Sequence, residues 1–542
     1  MKKFLSYFLS VALAAVLAVP MAGAAYTDVP AGSSLAGEVR KATEYGLMNG
    51  YSVDCFGYSD PMTRAQFVAV LDRMLFQMDA ETLVDYITPA MEIPETISGA
   101  YRKAINHAAR FDVVDRNAAF RPNAAITRGE MAEMLVRALG LKTAAQIAEK
   151  ENYLPFADVS GRKGYISVAY DIGMTKGTSA TTFGPDATAT RAQAAAMLVR
   201  IYEKLHQDTD FIHGFYAISS YSQLSLSENM DAVSAGWSRM TWDGETALLS
   251  TTNARGNEFA VPSGYSDVAE RLEGKLNLMV FMEGDSLKTM LASADGRTQA
   301  VGQIIHEMTV DYKTIGRNPY SGVTIDFEGL RDAQKADFTA FLTELREELD
   351  KQQTLYVCVS PVLTTGSYYD GYDYAAIGAL ADKVILMAYD YDAQDMSAFL
   401  GTEYHKTAAT APIGQVYQSL RAITKQIDPS KILLGFSAEN TAWQIDQTGV
   451  LVSGTPVHPS NEIVAQRLAQ SSTARGWSQE YQQSYAIYET EDGARYFLWY
   501  QDGRSVRAAL DAAKLLAVTG VSLWRLGTIP TYSEWNWNSL LA

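Results

Sequence analysis

From about residue 210 onward, short apolar runs alternate with longer amphipathic stretches. The runs are HGFYAISSY, DAVSAGW, LNLMVFM, GVTIDFE, LYVCVSPV, KVILMAYDY, ILLGFSA and GVSLWRLG. Each is rich in β-branched or aromatic residues and bounded by polar or turn-forming ones, which predicts buried strands. Between several of them, as in DAQKADFTAFLTELREELDKQ and SVRAALDAAKLLAV, apolar residues recur at helical spacing. Eight strand–helix units of this size predict an α/β domain over 209–542, a (β/α)8 barrel of the TIM type. A doubly wound open sheet is the alternative, but no glycine-rich phosphate loop follows the first strand.

Before residue 210 the pattern is helical and repeats three times. MTRAQF, ITRGEM and ATRAQA place Thr63-Arg64, Thr127-Arg128 and Thr190-Arg191 at intervals of 64 and 63 residues. Each follows an aromatic-rich turn (FGYSDP, FRPNAA, FGPDAT) and leads into an amphipathic helix. Asp28-Val29-Pro30, Glu92-Ile93-Pro94 and Asp158-Val159-Ser160 open the three units, predicted at 26–85, 86–150 and 151–208. The threonine suits a helix N-cap, with Gln or Glu three residues on completing a capping box. Capping explains neither the arginine after every cap nor the recurring turn. The middle unit departs from its neighbours: Gly46 and Gly50, like Gly173 and Gly177, correspond by offset to Arg110 and Val114. A changed turn is expected there, and Arg128 is expected to be the arginine it affects.

In GVTIDFEG side chains alternate, so Thr324, Asp326 and Glu328 share one face and Val323, Ile325 and Phe327 the other. In a parallel barrel the second face packs on helices and the first points into the lumen. Carboxylates placed there are costly unless hydrogen-bonded or protonated. The C-terminal end of a barrel strand is also where such folds place their chemistry. Mutual proximity should raise one pKa, giving a general acid beside a group that stays charged. Taken alone, DFE reads rather as a pair of solvated strand-end charges.

Residues 210–542 resemble the family 18 glycoside hydrolases, whose fourth strand carries DGxDxDxE. The resemblance is to the branch with spore-cortex and peptidoglycan-active N-acetylglucosaminidases, which ARYFLWYQDGRSVRAALDAAK also resembles. It implies that Glu328 is the acid that protonates the glycosidic oxygen and that Asp326 holds the substrate's N-acetyl group. It implies substrate-assisted attack by the acetamido oxygen, with retention of configuration, an exception to the two-carboxylate scheme. KVILMAYDYD supplies the M-x-Y-D signature through Met387, Tyr389 and Asp390, of which Tyr389 and Asp390 are implied to orient the acetamido group. Trp524, in GVSLWRLG, is implied to be the floor under the reacting sugar. Ser321 and Thr324 stand where the motif has its first two aspartates. Thr324 is expected to hydrogen-bond Asp326. FMEGDS replaces the usual third-strand segment, and its Glu283 reads as an ordinary strand-end charge.

The three N-terminal units resemble S-layer homology modules. That resemblance implies that Arg64, Arg128 and Arg191 contact an anionic secondary cell-wall polysaccharide, for which a guanidinium near a helix N-terminus is a fitting receptor. The implied whole is a secreted glycosidase, attached to the wall or S-layer of a Gram-positive-type envelope, acting on a glycan that contains N-acetylglucosamine. The alternative is a non-catalytic glycan-binding scaffold with a lapsed barrel.

Composition narrows the rest. A formal charge of −17 argues against generic binding to nucleic acid or anionic membrane. Lys2 and Lys3, a short apolar stretch and Ala22, Ala24 and Ala25 predict a signal peptide over 1–25, leaving no membrane segment after cleavage. Two cysteines, Cys55 and Cys358, fall in different predicted domains, and Cys358 reads as a small buried hydrophobe. The six histidines show no metal-ligand spacing, and the implied route needs no cofactor.

Overall fold

The computed structural model describes residues 26–542 except 77–90, 94–95, 117–118, 152–153, 255–256, 263, 363–367, 390, 533–534 and 536–542. The predicted signal peptide and Asp390 therefore lie outside the described residues. Two compact units emerge, one of residues up to Leu139 with Ala148–Lys204, the other of Gly140–Ile147 with Leu205 onward. Among the described residues no helix is long and apolar enough to cross a membrane.

In the first unit each repeat contributes a pair of helices: Ala36–Glu44 with Arg64–Leu71, Gly99–Arg110 with Arg128–Ala138, and Lys163–Asp171 with Arg191–Leu205. All three expected capping boxes form. Thr63 and Thr127 accept from the backbone of Gln66 and Glu130, whose side chains return the bond, and Thr190 pairs with Gln193 in the same way. Each second helix then rests its first turn on the aromatic turn of another repeat. Arg64 N donates to Ala124 O at 3.0 Å, Arg128 N to Ala187 O at 2.9 Å and Arg191 N to Asp60 O at 2.9 Å. First-turn N–H groups that a helix cannot satisfy internally are thus used to close a cyclic triangle of repeats. In the first and third repeats an aspartate grips the turn. Asp28 accepts from Phe56, Gly57 and Tyr58 N, each at 2.8 Å, and Asp158 from Phe183 at 2.8 Å and Gly184 at 2.7 Å.

In the second unit the strands are β1 (Phe211–Tyr216), β2 (Ala232–Trp242), β3 (Ala247–Ser250), β4 (Leu276–Met282), β5 (Gly322–Phe327), β6 (Thr354–Val359), β7 (Lys383–Leu386) and β8 (Ile432–Ser437), then β9 (Thr441–Ile445), β10 (Ala474–Ser478), β11 (Gln483–Glu489), β12 (Arg495–Tyr500) and β13 (Gly520–Trp524). Eight of them, β1, β2, β4, β5, β6, β7, β8 and β13, run parallel and close on one another through β1–β2 and β1–β13. Each overlaps one of the eight runs read from sequence, with β1 and β6 starting before theirs and β2 running past its end. The strict strand–helix alternation does not hold throughout. A 3-10 run, Ile218–Asn229, follows β1, and β3 folds back antiparallel on β2. After β8 the chain builds a separate four-stranded antiparallel sheet, β10-β11-β12-β9, before returning through the helix Gly503–Leu515 to β13. The inner apolar layer is Phe215, Ala232, Met279, Tyr356, Cys358, Ile385 and Leu433, with Met387 and Trp524 packed on it. Beneath lies a polar tie: His213 bridges Ser522 Oγ at 2.7 Å and Ser234 Oγ at 2.8 Å, and Ser234 meets Thr324 Oγ1 at 2.6 Å. Burial pushes His213 down to about 3, so the imidazole is neutral.

Candidate active site

Strand β5 is buried along its whole length, and its inward face ends on the two carboxyls. Thr324 is fully buried, Asp326 is 3% exposed, and Glu328 is half-buried one step past the strand end. The neighbouring strands pin them. Glu328 N donates to Met282 O at 3.0 Å, and Tyr372 Oη donates to Phe327 O at 2.8 Å. The two carboxyls, Trp524, Arg525, Phe215, Phe259 and Phe281 line one cavity of about 350 Å³. It opens at the C-terminal ends of the strands, as a barrel site should. A larger open depression lies at the opposite end, lined by Gly274, Ser321 and Gln353, which precede β4, β5 and β6.

Both carboxyls hold their protons more tightly than free ones. Burial raises Asp326, the Cys358 thiol donates to it and lowers it, and the charge of Glu283 raises it again. Burial also raises Glu328, helped by Asp326 and then Glu283. Like charges this close in a dry cavity do not both ionise readily, so the pair carries a proton into the neutral range. The expectation that only one would shift is revised: burial reaches both. Asp326 Oδ1 has no hydrogen-bond partner among the described residues, a costly state for a buried oxygen.

The expected Thr324–Asp326 bond is not formed. Thr324 turns to Ser234 in the polar tie below, and Asp326 takes the thiol of Cys358 instead. The β5–β6 register explains this. Thr324 pairs with Tyr356 and Ile325 with Val357, so one step further Asp326 lies beside Cys358 on the same face. Cys358 is buried, as read from the sequence, but it also touches the carboxyl pair. Glu283, read as an ordinary strand end, is exposed yet close enough to raise both carboxyls.

Tyr389 follows β7, 9% exposed, and Met387 packs on the lumen layer below it. Gly435 on β8 makes room: a Cβ there would stand 2.6 Å from Leu386 O and 2.9 Å from the Tyr389 ring. Trp524 lies edge to face with Phe215, centroids 5.0 Å apart, so the cavity has an aromatic floor. Cys358 was expected only as a buried hydrophobe, and Phe215, Phe259, Phe281 and Arg525 carry no sequence motif of their own. Only the pairing of strands brings them together.

In the first unit the three arginines are buried, between 5% and 8% exposed. Arg128 donates through Nε to Phe183 O (2.9 Å) and through Nη2 to Thr175 Oγ1 (3.2 Å), over the Phe183 ring. Arg191 makes the matching contacts to Phe56 O (2.9 Å) and Asn49 O (2.7 Å), over the rings of Tyr51 and Phe56. Arg64 differs, pairing with Glu130. The exception is therefore Arg64, whereas Arg128, expected to be the affected one, matches Arg191. Each arginine reaches another repeat: Arg64 meets Glu130 of the second, Arg128 meets Thr175 and Phe183 of the third, and Arg191 meets Asn49 and Phe56 of the first.

Comparison with known proteins agrees with this geometry. Residues 190–528, more than half of the chain, match the model for glycosyl hydrolases family 18. Three segments, 25–68, 95–132 and 155–195, match the S-layer homology domain. A cortical fragment-lytic enzyme of Bacillus subtilis is 25% identical over 232 residues, covering 42% of this chain and 50% of that protein. The chain spans about half the length of the curated relatives it matches. Among solved structures, the spore cortex-lytic enzyme SleL of Bacillus cereus aligns at 18% identity and TM-score 0.48, covering 61% of this chain and 73% of that one. The "C-terminal domain of putative chitinase" from Desulfitobacterium hafniense DCB-2 aligns at 22% identity and TM-score 0.50, covering 62% of this chain and 99% of that one, a likeness of fold. The closed barrel, the buried carboxyls ending β5 and the match over 190–528 agree: the chain belongs to glycosyl hydrolases family 18.

Proposed function

We propose that the protein is a wall-anchored glycoside hydrolase that cuts β-1,4 linkages next to N-acetylglucosamine, in peptidoglycan or a chitin-like glycan. The observation that carries this is the buried pair of raised carboxyls at the end of β5, set in an aromatic-floored cavity. Glu328, protonated in the neutral range, donates its proton to the leaving glycosidic oxygen. Asp326 uses its unpartnered Oδ1 to accept the acetamido N–H and so aims the acetamido oxygen at the anomeric carbon. That oxygen forms the bond to carbon as the leaving oxygen departs, giving a cyclic oxazolinium ion that water then opens with retention. Trp524 stacks under the sugar, Met387 and Tyr389 bound the acetamido pocket, Tyr389 and Asp390 carry the role of orienting the acetamido group, and Thr324 braces β5 from below.

The cortical fragment-lytic relative favours peptidoglycan over chitin as the substrate. The S-layer homology repeats support attachment to an anionic wall polysaccharide. Arg128 and Arg191 keep Nη1 outside their described bonds and are the stronger candidates to meet it, ahead of the ion-paired Arg64. The protein would be secreted through the predicted signal peptide of residues 1–25. Incubation with peptidoglycan, spore cortex and chitin oligomers, with products sized by mass spectrometry, tests this reading. Fragments ending in intact N-acetyl sugars are expected, and no cleavage of any of the three rejects it.

A further inference from the structure

Arg525 stands directly after Trp524 and lines the same cavity as Asp326 and Glu328. It is half-buried, and its backbone is fixed on several sides. Leu526 N donates to Phe215 O at 2.9 Å, Gly527 N to Gln223 Oε1 at 2.7 Å, and Thr528 Oγ1 to Arg525 O at 2.8 Å. The guanidinium itself makes one described bond, from Nη1 to the hydroxyl of Ser219 at 3.0 Å. Ser219 is neutral and exposed, so the charge is held in place without being matched. No ion pair is described for Arg525 among the described residues, in a chain of formal charge −17 in which Arg64, Arg137, Arg162, Arg239, Arg297 and Arg346 each pair with a carboxylate. Nor is it spent on the catalytic pair: both carboxyls stay raised, through burial and neighbouring negative charge. A fixed guanidinium with four N–H groups to spare, beside the aromatic floor, is a receptor for a planar anion.

We propose that Arg525 selects substrate by receiving a carboxylate carried on the glycan, so that the preferred polymer bears acidic ether substituents such as lactyl groups. This rests on the hydrolase reading of the same cavity. A neutral chitin-like strand would leave the guanidinium half-desolvated and unmatched, whereas an acidic strand gains a charge-assisted, two-pronged bond. Discrimination then arises as much from the unmatched charge against the neutral strand as from attraction to the acidic one.

The test uses the full chain and glycan strands stripped of peptide, in two forms, with free lactyl carboxylates and with the same groups methyl-esterified. Affinities for both are measured by calorimetry in the Glu328→Gln background, with Arg525, Arg525→Lys or Arg525→Gln. With Arg525 the acid strand should bind at least about tenfold tighter than the ester, a preference that raised salt weakens. Arg525→Lys should keep part of the preference, and Arg525→Gln should bring the ratio near one. A ratio unchanged by Arg525→Gln, or equal losses on acid and ester, overturns the proposal and assigns Arg525 to bracing Ser219. Turnover of both strands by the wild-type chain is read separately. Cleavage without an acid preference rejects the selection and leaves the hydrolase standing, whereas an acid preference without cleavage does the reverse.

Discussion

Asp326 and Glu328 are held where an ordinary carboxyl would resist being, and that has a cost readable in solution. A carboxyl raised on folding binds its proton more tightly folded than unfolded. Stability therefore falls as pH rises from the ordinary value, 4.5 for Glu328, towards the raised one. Thermal unfolding of the wild type should show that decline across the weakly acid to neutral range. Glu328→Gln should flatten it and unfold at a higher temperature near pH 8; a steeper decline in the variant would refute the assignment. Cys358 offers a second handle. Its thiol lowers Asp326, so Cys358→Ala should move the acid limb of the kcat/KM profile upward, and Cys358→Ser, a stronger donor, should move it downward. Identical profiles for all three would dissociate the thiol from the pair. The inward face of DFE follows from alternation alone, and so was legible in the sequence. The partner of Asp326 was not, because it depends on the β5–β6 register, which no periodicity in either strand encodes.

At the scale of elements, the eight barrel strands could be read because each is a continuous buried run. The antiparallel sheet β9–β12 could not, since β10 has no buried residue and β11 interrupts its buried positions with half-buried ones. The glycine of β8 shows how one element serves another. Gly435→Ala would press on Leu386 O and the Tyr389 ring, costing about 1–3 kcal/mol and displacing Tyr389, so activity should fall further than stability explains. Full activity at a lowered melting temperature would place Tyr389 outside the reaction. In the first unit the capping boxes were legible from T-R-x-Q/E spacing, and Thr127→Ala should cost about 1 kcal/mol by chemical denaturation. What the spacing concealed was the cyclic reach of each arginine, visible only once the repeats are seen to close on one another.

At the scale of the molecule, two compact units carry two chemistries: capped helices whose buried arginines knit the repeats together, and a barrel with its carboxyl pair. Removing residues 26–139, which spares the Gly140–Ile147 segment of the second unit, should strongly weaken retention on purified cell walls while leaving turnover of soluble glycans within about twofold; undiminished retention by the truncated chain would contradict the anchoring role. The central claim is that a protonated Glu328 is the acid of a glycosidase, and one measurement bears on it most directly. Reducing-end release from N-acetylglucosamine polymers is followed at pH 7 for the wild type and for Glu328→Gln, with circular dichroism on both. The account predicts clear release by the wild type and a rate lower by about 10²–10⁴-fold in a variant that folds as well. Equal rates in the two proteins, or no release by the folded wild type on any such polymer, would contradict it.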